Sequence, residues 1–274
     1  MTARINRYRK SAMDFGKINS VAFKAAHHGA EVLMGKMGRL LEINKKGAID
    51  LVTDADTASE KAIITTIQAA FPDHAILAEE SGLSDGSSAF RWIIDPLDGT
   101  TNFAHSLGLF AVSIACARGN DIICGVVYNP VSKELFSAVK GKGAQLNGQT
   151  IRVSDTPDVS ESLLVTGFPY NVGDILDKIM IRLSRCLAAS QGVRRLGSAA
   201  LDLCYLACGR FEGFWEQNLK PWDTAAGLLI AREAGARVTD FSDHEFTIDM
   251  PQLLATNGKI HHQMLDLISL EDGR

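Results

Sequence analysis

At 274 residues with 46% hydrophobic content, the chain is long for one core and comfortable for two domains, each able to bury a filled interior. A formal net charge of −4 and a pI near 6 give no whole-molecule attraction to nucleic acid or an anionic membrane, so small substrates fit better. No apolar run reaches transmembrane length, and the five cysteines form neither a C-x-x-C pair nor a regular framework, so reduced, buried thiols and a cytoplasmic setting are expected.

Residues 1 to about 17 read as a frayed extension bearing Arg4, Arg7, Arg9 and Lys10, with no apolar core after them to make a secretory signal. From Ser20, the positions Val21, Ala25, Gly29, Val32 and Leu33 recur at helical spacing, and Gly35 and Gly38 punctuate the end. His27 and His28 are adjacent on this helix and point different ways, which favours packed or surface roles over a shared metal. A second helix carries Ala62, Ile63, Thr66, Ile67 and Ala70 on one side. Thr57 and Glu60 have the spacing of a capping box, and Asp54 and Asp56 suit the helix start. After a turn at Phe71-Pro72-Asp73-His74, the strand Ala75–Ala78 ends on Glu79 and Glu80. Two adjacent acids there repel unless a cation or solvent takes one.

The apolar run Trp92-Ile93-Ile94 reads as the end of a buried strand, and Asp95-Pro96-Leu97-Asp98-Gly99-Thr100-Thr101-Asn102-Phe103 follows at once. Pro96 fixes its own φ and can hold a turn that aims both aspartates at one point, where a cation would be attracted. Gly99 admits close approach of backbone, and a helix starting at Thr100 would present unpaired N–H groups to an anion. Turn punctuation and an ordinary N-cap would explain a lone Asp-Gly pair. Acids directly after a buried strand point instead to metal-assisted phosphate chemistry. Haloacid-dehalogenase phosphatases carry Asp-x-Asp after such a strand. The spacing of three found here needs a turn between the acids and weakens that alternative.

Further on, Phe110–Ala117, Ile122–Tyr128 and Leu135–Val139 read as strands. Gly141, Gly143 and Asn147-Gly148 are turn chemistry, and Lys142 is a hairpin tip without a Walker pattern. A domain boundary is set near residue 150. A strand at Leu163–Thr166 and a helix at Ile175–Ser190 come next. Arg194-Arg195-Leu196-Gly197-Ser198-Ala199-Ala200 opens a helix over Leu201–Cys208, and Gly209 to Glu216 returns as a strand. Asp223, in Pro221-Trp222-Asp223-Thr224, stands before a helix ending near Ala234-Gly235, where an N-cap is the ordinary role.

Taken in order, Asp-Leu-Val-Thr at 50–53, Glu-Glu-Ser at 79–81, the 95–103 segment and Trp-Asp-Thr-Ala-Ala-Gly at 222–227 resemble the inositol monophosphatase family of lithium-sensitive, magnesium-dependent phosphatases, from about Asn19 to about Gly258. The resemblance implies an α/β layered αβαβα sandwich with mixed sheets. An N-terminal α+β domain (1–150) would carry most metal ligands, and a C-terminal α/β domain (151–274) would supply Asp223 and substrate contacts across a cleft. It further implies two or three Mg²⁺ per site, on Glu79, Asp95, the Leu97 carbonyl, Thr100, Asp98 and Asp223, with Asp95 shared between ions. Asp56 would pair with Thr100 to polarise an attacking water without a phosphoenzyme, and Glu79 would serve the same catalytic step. Backbone at Gly99 and Thr100 would take the phosphate, while Gly197, Ser198, Ala199 and Glu216 would face the substrate's hydroxyl-bearing part. Lys45 and Asp50 match a covering loop, and members are typically homodimers. A phosphorylated polyol, inositol monophosphate, is the expected substrate. Fructose 1,6-bisphosphate, adenosine 3′,5′-bisphosphate and histidinol phosphate remain alternatives, as does a partner role in ribosomal RNA transcription complexes.

Overall fold

The computed structural model describes residues 15–38, 43–45, 51–169 and 172–270. Helix α1 (Phe15–Lys36) takes its first turn from what the sequence reads as a frayed extension; the earlier residues lie outside the described ones. Strands β1 (Ile43–Lys45) and β2 (Leu51–Thr53) pair antiparallel, and the expected covering loop through Asp50 lies outside the described residues beyond Lys45. Helix α2 (Asp54–Ala70) begins one turn earlier than the Thr57–Glu60 spacing suggests. Thr53 is its N-cap, and its box partner is Asp56, whose Oδ2 accepts from the Thr53 amide at 2.8 Å. Gly29 lets α1 lie directly on α2, since a Cβ there would meet Ile63 at 2.8 Å. His28 bonds Thr66 at 2.8 Å and His27 packs edge-on against Tyr128, so both histidines are structural.

An eight-stranded sheet follows, from β3 (Ala75–Ala78), β4 (Gly82–Ser84), β5 (Phe90–Asp98), β6 (Ala111–Arg118), β7 (Asp121–Asn129), β8 (Glu134–Val139), β9 (Ala144–Leu146) and β10 (Gln149–Ile151), with short helix α3 (Thr100–Ala104) after β5. Its order is β10-β9-β8-β7-β6-β5-β3-β4, with β3 and β5 parallel and the remaining neighbours antiparallel. The second sheet combines β11 (Leu163–Thr166), β12 (Gly192–Arg194), β13 (Gly213–Gln217), β14 (Arg237–Thr239) and β15 (Gln252–Thr256) in the order β12-β11-β13-β15-β14. Here β11 runs parallel to β12 and β13, and β15 runs antiparallel to its neighbours. Its helices are α4 (Val172–Ala189), α5 (Ala199–Ala207), α6 (Pro221–Glu233) and α7 (His261–Ile268). The change of sheet falls between Ile151 and Leu163.

Strand alternation sorts these elements into five layers, αβαβα. On one face of the first sheet, Trp92, Ile94, Val112 and Ile114 join the α1 and α2 residues Ala22, Leu33 and Ile63. On its other face Ile93, Ala115, Val127 and Phe136 meet α5 and α6, which also cover Val165, Phe214 and Ala255 of the second sheet. The far face of that sheet, with Leu164, Trp215 and Leu254, packs on Cys186 of α4 and Met264 of α7. Among the described residues no helix is long and apolar enough to cross a membrane. All five cysteines are free, and four are buried.

Candidate active site

The motif does not turn at Pro96. Strand β5 continues to Asp98, and its register slips: Asp95 stands opposite Ser113 and Asp98 opposite Ala111, three residues matched against two. A regular strand would aim acids spaced by three to opposite faces. The extra residue of a bulge returns Asp98 to the side of Asp95, which faces α5 and α6. Chain reversal comes only at Gly99, in the left-handed region at φ 97°, where a Cβ would meet the Leu109 carbonyl at 2.9 Å. Helix α3 then starts at Thr100.

Thr100 is buried, and its hydroxyl lies 3.0 Å from Asp56 Oδ1 and 3.1 Å from the Leu97 carbonyl. The other Asp56 oxygen is taken by the Thr53 amide and hydroxyl, so the α2 cap fixes this acid's orientation. Burial raises the proton affinity of Asp56, and these hydrogen bonds oppose it. Asp98 Oδ2 accepts from the Ser198 hydroxyl at 2.6 Å and the Ala200 amide at 2.7 Å, which ties the motif to the start of α5. Asn102 adds a second tie, its amide donating to the Leu109 and Leu196 carbonyls at 2.7 and 2.8 Å. Asp223 is not an N-cap. It lies a turn into α6, its Oδ2 accepting from the Lys220 amide at 2.7 Å.

A cavity of about 340 Å³ opens between these elements, and Glu79, Asp95, Asp98, Thr100, Glu216 and Asp223 all line it. Leu97, Gly99, Gly197, Ser198 and Ala199 line it too, so of the candidate site residues only Asp56 stands behind the wall, through Thr100. Glu80 is at its margin, its amide bonded to Glu60. Burial, then Glu79, Asp98 and Asp223, push Asp95 well above the usual carboxylate range. Burial lifts Asp98 to about 6 against its Ser198 and Ala200 hydrogen bonds. Glu216 rises to about 8, through burial first and then Asp223, with Arg195 opposing. Among the described residues no three His, Cys, Asp or Glu groups close on one point as tightly as the ligands of a single ion. The donor set is nonetheless all oxygen, and the mutual repulsion of these acids is what a divalent cation relieves.

Gly167, Arg195 and Asp202 are wall residues that the sequence reading gives no role. Gly167 lies against Glu216, where a Cβ would come within 2.2 Å of the carboxylate; nothing in the local sequence marks that approach. Arg195 lines the cavity beside Phe168 and is the nearby positive charge for Asp98 and Glu216. Asp202 does carry a sequence signal: it is the one acid in the otherwise apolar helix Ala199–Ala207.

The family model of the inositol monophosphatases matches residues 15–269. The chain is 48% identical to inositol-1-monophosphatase of Synechocystis over 86% of its own length and 83% of the relative's. It is 42% identical to Nus factor SuhB of Pseudomonas aeruginosa, over 91% of this chain and 94% of the other. Among solved structures, inositol monophosphatase from Anabaena superposes with a TM-score of 0.85 at 40% identity, covering 93% of this chain and 96% of that one. The family is generally metal-dependent, in keeping with the oxygen-lined cavity. A match over nearly the whole described chain, at this identity and with the same layered fold, makes the protein a member of the inositol monophosphatase family.

Proposed function

We propose that this phosphatase is a Mg²⁺-dependent phosphomonoesterase that hydrolyses a polyol monophosphate, inositol monophosphate foremost, by direct attack of water. The observation that carries the reading is the pairing, in one cavity, of the Asp95–Asp98 bulge with the buried Thr100–Asp56 contact. The Synechocystis relative bears the name of that activity.

The residues that would hold Mg²⁺ are Glu79, Asp95, Asp98 and Asp223, with the Leu97 carbonyl and Thr100 hydroxyl. Hard oxygen donors without nitrogen or sulfur favour this ion. When bound, it supplies Lewis acidity for the phosphoryl group and the nucleophilic water. The chain does the rest. Thr100 donates to Asp56 and so keeps its lone pairs for a water proton, which Asp56 can receive through the hydroxyl. Backbone amides at Gly99 and Thr100 would take the phosphate oxygens. Glu216, with Gly197, Ser198 and Ala199, would receive the hydroxyl-bearing leaving group.

Two further parts of the reading are the cytoplasm and a homodimer. An apolar stripe on α4, with Leu176, Met180 and Leu187 each 48–50% exposed, supports association. A second reading, a transcription-complex partner, rests on the relatives called Nus factor SuhB. It would use an outer surface and leave the cavity to catalysis.

The test is phosphate release from a panel of phosphate esters with Mg²⁺, with and without Li⁺, for wild type and Asp95→Asn. We expect inositol monophosphate to be preferred and Li⁺ to inhibit. Asp95→Asn should lose roughly 100-fold or more with its circular dichroism intact. One ¹⁸O from labelled water should appear in the phosphate released. Near-normal turnover by the variant, or a trapped aspartyl phosphate at Asp95 or Asp98, would overturn the mechanism.

A further inference from the structure

Asp202 stands in the first turn of α5, 1% exposed, and neither carboxylate oxygen has a hydrogen-bond partner among the described residues. Buried acceptors are almost always paired, and an aspartate with both oxygens unmet is a costly feature for a fold to retain. Packing does not explain it, because its neighbours on α5 are apolar and a leucine would serve a helix buried all round. Burial first, then Glu216 and Asp98, hold its proton affinity well above the usual carboxylate range, and Arg195 opposes them. Asp202 lines the same cavity as Gly197, Ser198, Ala199 and Glu216.

A ligand in the cavity can supply the missing donor. Glu216 and Asp98 oppose an anion beside Asp202, and Arg195 already supplies a positive charge there. Neutral hydroxyl groups satisfy carboxylate oxygens without adding charge. We infer that Asp202 is a second specificity-determining acid of this site, accepting a hydrogen bond from a leaving-group hydroxyl while Glu216 accepts another. This rests on the polyol reading and narrows it. The preferred substrate carries at least two free hydroxyls placed to reach both acids, and a ring or chain with one is discriminated against.

The experiment compares inositol 1-phosphate with cyclohexyl phosphate, which keeps the ring and lacks the hydroxyls. Asp202→Leu should lower the ratio of kcat/KM for the two esters roughly tenfold or more, mainly through KM for the inositol ester. Asp202→Asn keeps one acceptor oxygen and should fall between wild type and leucine. Thermal unfolding supplies the second readout: removing an unpaired buried acid should raise Tm, by about 2–4 °C for Asp202→Leu. A ratio unchanged in both variants, or a fall in Tm with equal losses on both esters, would overturn this role and leave the polyol reading standing. A wild-type enzyme that shows no preference for inositol 1-phosphate over cyclohexyl phosphate would overturn both.

Discussion

At the scale of single residues, the site is built by giving each acid two tasks. Asp56 closes the α2 cap with one oxygen and meets Thr100 with the other. Asp98 holds the α5 start through Oδ2 and also lines the cavity. Such placement concentrates acids, and the proton affinities of Asp56, Asp95, Asp98, Glu216 and Asp223 rise on folding, so stability should follow pH accordingly. Glu216 has an ordinary value of 4.5 and is raised to about 8, so the folded state binds its proton more tightly than the unfolded chain does. Its contribution is full below pH 4.5 and is lost as pH rises through about 8. In chelator, the Tm of the protein should fall between pH 5 and 8, and Glu216→Gln should flatten that fall. A wild-type slope that the variant leaves untouched, measured by differential scanning fluorimetry, would remove Glu216 from the account.

Among the elements, β5 sets the geometry. Its bulge brings Asp95 and Asp98 to one side, and Gly99 ends the strand where the Leu109 and Gly197 carbonyls crowd in. Gly99→Ala would carry a Cβ within 2.9 Å of Leu109 O and 3.2 Å of Gly197 O at a φ that disfavours side chains. We expect a loss of about 2–4 kcal/mol in urea unfolding, with phosphate release down at least tenfold as α3 shifts. The control is Gly119→Ala, at φ 61° with open space around the new Cβ. It should cost about 1 kcal/mol and leave turnover intact. Equal effects from the two substitutions would mean that backbone strain alone, and not the crowded turn, governs Gly99.

For the whole molecule, the middle helical layer decides how the two sheets sit. Helix α6 rests on β7 where Gly125 faces Ala226, a Cβ there falling 2.8 Å from the Ala226 carbonyl. Gly227 does the same against Leu203 of α5, at 2.8 Å. Since α5 positions Ser198 and Asp202 and α6 positions Asp223, this packing sets the width of the cavity. Gly227→Leu should force the helices apart and destabilise by about 1–3 kcal/mol or more, measured by chemical denaturation. The loss of activity should exceed the loss of folded protein. A variant of wild-type stability and turnover would show that the middle layer tolerates separation.

Periodicity alone marked most of the strands and helices, and the Trp92–Ile94 run marked where a ligand-binding strand lay. The order of the acid-bearing segments was enough to place the family, because motif spacing is written along the chain, and the layered fold came with that resemblance. Boundaries shifted: the α2 cap is Thr53, boxed by Asp56 three residues on, and β5 ran on to Asp98 because β6 supplied register partners. A turn at Pro96 was the local reading. Only pairing across the sheet could reveal a bulge, since it is defined by two strands and not by one. The convergence of Glu79, Asp95, Asp98, Glu216 and Asp223 on one cavity likewise belongs to the tertiary structure, as do the unpaired state of Asp202 and the contact of Gly167 with Glu216. Sequence spacing carries no distances between segments more than a hundred residues apart; the packing of α5 and α6 between the sheets fixes them.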